Sequence, residues 1–213
     1  MGLFNFNKRQ PDIVKGRIGF YGLTDWWLSS FNETERNYIV ETFKPLGETE
    51  SSLIKGDISF LSDSKISFLT KLASWFTKEQ DEKIGITIIN KAEELIENSS
   101  DVLDIHFLFQ TKIVINYRLR EKNDYSFQDA INACQKQIEL SPKAKILFEK
   151  EYKNEPLPSH KGFEQLVIIE EKRQNYNTAI EISEKALREG WYGDWENRIE
   201  RCKKKLYKAK SEK

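Results

Sequence analysis

Apolar residues along most of this chain recur three or four positions apart, the spacing that places them on one face of an α-helix. The pattern is clearest near the carboxyl end, where Trp195, Ile199, Cys202 and Leu206 follow one another at spacings of four, three and four. Strict alternation of apolar and polar residues, which indicates a half-buried strand, is nearly absent. The pattern therefore predicts an all-α protein.

Capping residues and helix breakers divide this pattern into separate helices. Asn32, with Glu35 three residues later, has the spacing of a capping box, and Pro45 ends the helix that Asn32 opens. Ser141 and Pro142 predict the end of one helix and the start of another. The predicted helices span residues 24–31, 32–43, 64–76, 77–96, 101–120, 126–140, 142–152 and 194–208, with a further pair in residues 160–193.

Breaks in the pattern divide the chain into three regions. Residues 1–22 contain Asn, Pro and Gly residues that interrupt any period, so we expect an N-terminal arm that lies on the body of the protein. Residues 23–63 are predicted to form an N-terminal helical pair and a polar linker. Residues 64–213 carry paired helices and end in a helix with a single apolar face, as expected of a capping helix.

Two helix pairs in the third region share one spacing of small residues. In a frame of about 34 residues that begins at His160, Ala179 and Ala186 fall on one face of the second helix, where a large residue of the first helix can pack against them. The corresponding positions of an earlier frame hold Gly85 and Ala92. A middle pair keeps only the later part of this spacing. Its frame needs two extra turn residues before Tyr125, and Gln137 then stands where a small residue is expected.

Residues 160–193 resemble a tetratricopeptide repeat (TPR), residues 66–99 resemble it less closely, and residues 104–142 retain part of its pattern. The resemblance implies a short irregular α-solenoid of TPR-like helix pairs, with an N-terminal helical extension and a C-terminal capping helix. Residues 22–31 and 190–195 also resemble segments of small uncharacterised bacterial repeat proteins, a resemblance that implies no activity.

In that family the first helices of successive pairs form a concave groove that binds peptides or protein segments. The resemblance therefore implies a partner-binding groove in this chain. Family members that grip a terminal carboxylate use lysine and asparagine at two positions where this chain has Thr70 with Ser74, and Glu164 with Ile168, so that clamp is not predicted. The predicted groove residues are Thr70, Lys71, Ser74, Lys78, Tyr117, Arg120, Glu164, Gln165, Ile168, Glu171 and Lys172.

Four tryptophans offer a second candidate surface, an aromatic edge. Trp26 and Trp27 are neighbours on a predicted helix, so their side chains point about 100° apart and both are buried only if two elements cover them. An exposed ring would suit a partner interface. Trp191 and Trp195 lie beside two glycines and can form a similar platform. The alternative for all four is burial at helix junctions, which such large rings favour.

The overall charge is balanced, with 34 basic and 34 acidic residues, so no net field draws the protein to nucleic acid or to an anionic membrane. The distribution is uneven, because residues 194–213 hold eight basic and four acidic residues. An alternative function is therefore a nucleic-acid-associated regulator, for example in a bacterial or phage conflict system, that uses this basic helix. A solvated helix end explains the same charges.

No set of residues predicts catalysis or a bound metal or cofactor. His106 lies two residues from Asp104, and side chains two apart on a helix diverge. His160 precedes a helix start, and the spacing of Cys134 and Cys202 suggests neither a disulfide nor a metal site. We expect a non-catalytic scaffold or adaptor that binds a partner protein or peptide. With no signal-peptide pattern and no membrane segment in the sequence, we expect it in the cytoplasm.

Overall fold

The computed structural model describes residues 14–47, 52–97, 100–122 and 124–211. Residues 1–13 of the predicted N-terminal arm and residues 48–51 of the predicted linker lie outside the described residues. Within the described residues the protein is mostly helical, as the apolar spacing predicts, and it divides into two compact units, Met1–Asp63 and Ser64–Lys213. The helices are α1 (Gly16–Phe20), α2 (Thr24–Ser30), α3 (Glu33–Thr42), α4 (Lys65–Ser74), α5 (Glu82–Glu94), α6 (Val102–Arg118), α7 (Asp124–Glu151), α8 (Lys161–Lys172), α9 (Tyr176–Glu189) and α10 (Trp195–Ser211), with a 3-10 turn at Glu79–Asp81.

In the first unit, backbone hydrogen bonds join α1 to an irregular segment that the sequence predicts to be a linker. The backbone N–H of Arg17 donates to the carbonyl oxygen of Ser52 at 3.0 Å, and that of Ile18 donates to Leu53 at 3.0 Å. Gly16 has a φ of +58°, and a Cβ atom there would lie 2.4 Å from the Ser52 carbonyl oxygen. Glycine is therefore required where the two segments meet.

The predicted capping box at the start of α3 is confirmed. The Asn32 side chain accepts the Glu35 backbone N–H at 2.9 Å, and the Glu35 carboxylate accepts the Asn32 backbone N–H at 2.8 Å. Two otherwise unpaired donors of the helix end are satisfied in this way. The capping residues thus determine where α3 begins.

The second unit contains three successive helix pairs: α4 with α5, α6 with α7, and α8 with α9. Helix α6 contacts both α4 and α8, so the first helices of the pairs are neighbours, and α10 packs on α9. Ala179 and Ala186 of α9 are fully buried, as predicted for the small positions. A Cβ atom on Gly85 of α5 would lie 2.3 Å from the Phe76 carbonyl oxygen, so that position also needs a small residue.

The predicted helix break at Pro142 is wrong, because α7 runs without interruption from Asp124 to Glu151 and contains this proline. A proline within a helix has no N–H to donate to the carbonyl four residues earlier, here that of Ile138. The hydroxyl of Ser141 lies 2.8 Å from that carbonyl oxygen and donates to it. A side chain therefore replaces the backbone donor that the proline lacks.

Two short parallel strands, β1 (Leu157–Ser159) and β2 (Trp191–Tyr192), were not predicted. Leu157 pairs with Trp191, and Ser159 pairs with Tyr192. The strands lie on either side of the α8–α9 pair in the sequence and are too short to show an alternating pattern. None of the helices described is both long enough and apolar enough to cross a membrane.

Candidate functional site

The helices predicted to line the groove are neighbours, but two of the predicted groove side chains lie inside the fold. Thr70 on α4 is 6% exposed, and Gln165 on α8 is 4% exposed. Their burial removes them from the surface that a partner can contact. Glu164 and Ile168 on α8 are half-buried. The exposed members of the first pair are Lys71, Ser74 and Lys78.

Three of the predicted groove residues come together at one surface pocket of about 350 Å³. Tyr117 lies in the last turn of α6, Arg120 lies in the turn that follows α6, and Lys172 is the last residue of α8. The remaining lining residues were not predicted, because they come from the start of α7 and from positions of α8 and of the turns that the repeat frame does not place in the groove. They are Glu121, Phe127, Ile169 and Arg173.

Two arginines lie against the aromatic rings of this pocket, which we call the Tyr117 pocket, and Lys172 lies at the edge of the Tyr117 ring beside its hydroxyl. The Arg120 guanidinium lies 4.5 Å from the centre of the Tyr117 ring, and the Lys172 ammonium lies 5.9 Å from it. Lys172 also donates to the Tyr117 hydroxyl at 3.3 Å. The Arg173 guanidinium lies 5.2 Å from the centre of the Phe127 ring. These contacts hold the cations in place at the wall of the pocket.

The positive charges of the Tyr117 pocket are only partly neutralised. Arg120 pairs with Glu121 at 2.7 Å, and Arg173 pairs with Glu170 at 3.3 Å. Lys172 contacts no carboxylate among the described residues; its polar contact there is the Tyr117 hydroxyl. The pocket therefore presents a positive surface, and its apolar lining residues are Phe127 and Ile169.

Glu171, another predicted groove residue, is already bound within the protein. Its carboxylate accepts from Arg198 at 3.2 Å and from Arg201 at 3.0 Å, and it lies 4.0 Å from the Lys205 ammonium. All three cations belong to α10, so Glu171 fastens the C-terminal helix to α8. It also neutralises part of the charge that suggested a nucleic-acid surface.

The structure corrects the prediction of an exposed aromatic edge. Trp27 is 1% exposed, and Trp191 and Trp195 are each 2% exposed. The Trp195 indole N–H donates to the Trp191 carbonyl oxygen at 2.7 Å, and the Trp191 indole donates to Glu189 at 2.8 Å. Trp26 is half-buried. Three of the four rings therefore serve the core, where they bury more apolar area than at a surface.

Two histidines that are distant in the sequence meet in the core of the second unit. His106 of α6 and His160, which caps α8, have ring centres 5.0 Å apart. Trp191 stacks on His106 at 6.0 Å and meets the edge of the His160 ring at 4.7 Å. The sequence does not predict this cluster, because His106 and His160 are far apart in the chain. Spacing along the chain carries no signal for such a contact.

Gln137 of α7 connects the histidine cluster to two other helices. Its amide nitrogen lies 3.0 Å from the His106 carbonyl oxygen and 3.3 Å from His106 Nε2, and its amide oxygen accepts the Gly162 N–H at 2.6 Å. His160 Nδ1 accepts the Phe163 N–H at 3.3 Å. Each neutral ring then carries its proton on the other nitrogen, and these two nitrogens have no partner within the described residues.

Burial keeps both histidines neutral. Desolvation lowers the pKa of His106 to about 4, and it lowers the pKa of His160 to about 3, with a further contribution from the nearby His106. The nitrogen that each ring uses as an acceptor is occupied, and the other nitrogen bears hydrogen. Neither ring offers a free lone pair to a metal ion in this arrangement.

Within residues 14–47, 52–97, 100–122 and 124–211, no three His, Cys, Asp or Glu side chains lie close enough together to hold a metal ion. Both cysteines are buried and free. Burial raises the pKa of the Cys134 thiol to about 12, which leaves almost no thiolate at neutral pH. Cys134 is therefore suited to the core rather than to nucleophilic chemistry.

The surface of the second unit combines three features: neighbouring helices, a pocket between them, and cations beside the aromatic rings of that pocket. Comparison of the chain with protein-family models, with curated proteins and with solved structures finds no match.

Proposed function

We propose that this protein is a non-catalytic scaffold or adaptor that binds a partner protein or peptide across the first helices of a short TPR-like solenoid. The observation that carries the proposal is the Tyr117 pocket, which joins residues of two neighbouring first helices at the surface. Tyr117, Arg120 and Lys172 are the residues to which we assign partner contact. Contact of α6 with both α4 and α8 further supports a shared binding face.

The proposed mechanism is recognition by a preformed surface. Arg120 donates to the Tyr117 carbonyl oxygen at 2.9 Å, and its guanidinium also lies over the Tyr117 ring. Ile169 of α8 lines the same pocket and is almost fully buried. Because these side chains are already ordered by their neighbours, binding costs less conformational entropy than at a mobile loop.

The alternative, a nucleic-acid-binding regulator, has weaker support. Its basic helix, α10, has three cations bound to Glu171, which leaves them less able to contact phosphates. Lys203, Lys204 and Lys208 remain exposed on the same helix. Exposed lysines on a helix end are common at solvated surfaces, so they do not by themselves indicate a nucleic-acid site.

Affinity capture from a lysate of the source organism tests the proposal. The tagged protein is used in parallel with and without nuclease treatment, and the retained proteins are identified by mass spectrometry. We expect a stoichiometric protein partner that survives nuclease and is lost with Tyr117→Ala. The tyrosine supplies the ring around which the pocket cations are arranged.

Tyr125→Ala is the matched control, because Tyr125 is 86% exposed on α7 and does not line the Tyr117 pocket. This variant should retain the partner, and circular dichroism should show both variants folded. Retention of nucleic acid alone, or equal capture by Tyr117→Ala and the wild type, would exclude the Tyr117 pocket as the binding site.

A further inference from the structure

We infer that the Tyr117 pocket recognises an acidic peptide segment, in which a carboxylate side chain contacts Lys172 and a neighbouring aliphatic side chain packs against the aromatic lining of the pocket. This inference rests on the proposed function and specifies the chemistry of the partner. Three cations, Arg120, Lys172 and Arg173, line the pocket against a single lining carboxylate, that of Glu121.

Lys172 is the determinant of charge recognition, because the two arginines already have carboxylate partners. Arg120 is paired with Glu121 and Arg173 with Glu170, so their charges are partly satisfied within the protein. The Lys172 ammonium contacts a neutral hydroxyl at 3.3 Å and has capacity for two further hydrogen bonds. A ligand carboxylate supplies the acceptor that no described protein carboxylate provides.

The rest of the pocket suits a peptide side chain next to that carboxylate. Phe127 and Tyr117 are half-buried and provide apolar ring surface at the pocket. The volume of about 350 Å³ holds one or two side chains and not a folded domain. The expected ligand is therefore a short extended segment with an acidic and an aliphatic residue close together.

The distribution of carboxylates favours a peptide over nucleic acid. Glu121 lines the pocket itself, and Glu170 lies directly behind Arg173 at 3.3 Å. A nucleic-acid strand brings a phosphate at every nucleotide and would meet these carboxylates, whereas a peptide can place a single negative charge opposite Lys172.

Fluorescence anisotropy tests the inference with mixtures of short fluorescein-labelled peptides. One mixture has glutamate and leucine fixed at neighbouring positions of an otherwise random sequence, and the second has glutamine in place of the glutamate. A third has phosphoserine at that position. We expect the wild-type protein to bind the glutamate mixture about tenfold more tightly than the glutamine mixture, the gain of a charge-assisted hydrogen bond.

Variants of Lys172 identify the site of that preference. Lys172→Gln should remove the tenfold preference for glutamate over glutamine, whereas Lys172→Arg should keep it. Lys203→Gln is the matched control, since it removes an exposed lysine of α10 that lies outside the pocket. Because Lys172 is exposed, these variants should fold as the wild type does.

Equal affinity for the glutamate and glutamine mixtures, or binding of neither, would overturn the inference of an acidic ligand. Tighter binding of the phosphoserine mixture than of the glutamate mixture would also overturn it and would identify a phosphorylated ligand. These results are distinguishable from failure of the proposed function, because capture of a protein partner that is lost with Tyr117→Ala does not depend on the charge of the ligand.

Discussion

At the scale of single residues, the histidine cluster imposes a condition on the protonation state of the core. His106 is 1% exposed and His160 is fully buried, and each uses one ring nitrogen as an acceptor in the folded protein. Protonating either ring places a charge where no described carboxylate contacts it. The folded state therefore favours the neutral rings.

Acid is expected to destabilise the protein through these histidines. Their pKa values fall from 6.5 in the unfolded chain to about 4 and about 3 in the fold, so the unfolded state binds more protons below pH 6.5. The stability that the two neutral histidines contribute is fully present above pH 6.5. It is lost as the pH falls from 6.5 toward the pKa values of the folded state, by about 1.4 kcal/mol per pH unit for each additional proton bound by the unfolded chain. Urea unfolding at several pH values measures this slope.

His160→Asn separates titration from helix capping. Asparagine retains a side-chain acceptor for the Phe163 N–H but does not titrate. The free energy of unfolding of the variant should therefore fall less than that of the wild type as the pH decreases below 6.5. Above pH 6.5 the free energies of the two proteins should change with pH in parallel. Parallel losses below pH 6.5 would show that His160 is not the group responsible.

Gln137 shows why some single residues cannot be interpreted from a repeat pattern. In the sequence it is a departure from the small residue expected in the frame, and the middle pair resembles the repeat less because of it. In the structure its amide group bonds to His106 of α6 and to Gly162 of α8. Both partners are distant in the chain, so the compensation for a buried amide is visible only in three dimensions.

At the scale of elements, the sequence predicts the start of a helix correctly where residues close together in the chain determine it. Asn32 and Glu35 cap α3 through each other, and their spacing in the sequence is sufficient to predict the contact. Pro142 was predicted to end a helix, yet α7 continues through it. The difference arises because Ser141 and the packing of α7 against α6 and α8 offset the cost of a proline, and that packing is a tertiary property.

The close packing of α8 and α9 gives a prediction for Ala179. This residue is fully buried, so Ala179→Leu should lower the free energy of unfolding by about 1–3 kcal/mol through overpacking. The neighbouring Thr178→Leu is the control, because Thr178 is exposed and a change there should stay within about 0.5 kcal/mol. Urea denaturation measures both. Equal midpoints for the two variants would contradict the assignment of Ala179 to the α8–α9 contact.

At the scale of the whole molecule, the numbers of basic and acidic residues are equal, and tertiary contacts determine which of the cations are paired. The basic residues that stand out at the carboxyl end of the sequence include three that meet Glu171 across the α8–α10 contact. The lysine of the Tyr117 pocket, by contrast, has no carboxylate partner among the described residues. The strongest run of positive charge in the sequence is thus not the surface that we assign to partner binding.

Releasing the α10 cations should increase binding to nucleic acid. Glu171→Gln removes the carboxylate that Arg198, Arg201 and Lys205 share, so we expect tighter binding to a DNA oligonucleotide at low salt. Glu200→Gln changes the net charge equally but frees only Lys204, 3.9 Å away. Its effect should be smaller in the same mobility-shift titration. Equal shifts for both variants would mean that Glu171 does not mask the basic helix.

The amino-acid sequence by itself determined the helical class, the capping box of α3 and the small residues on the buried face of α9, because each depends on residues a few positions apart. The tertiary structure decided the Tyr117 pocket, the histidine cluster and the binding of Glu171 by α10. These contacts join residues from different helices, and a linear pattern does not encode the distance between them. It likewise decided that Trp27, Trp191 and Trp195 lie in the core, since burial depends on which elements cover a ring.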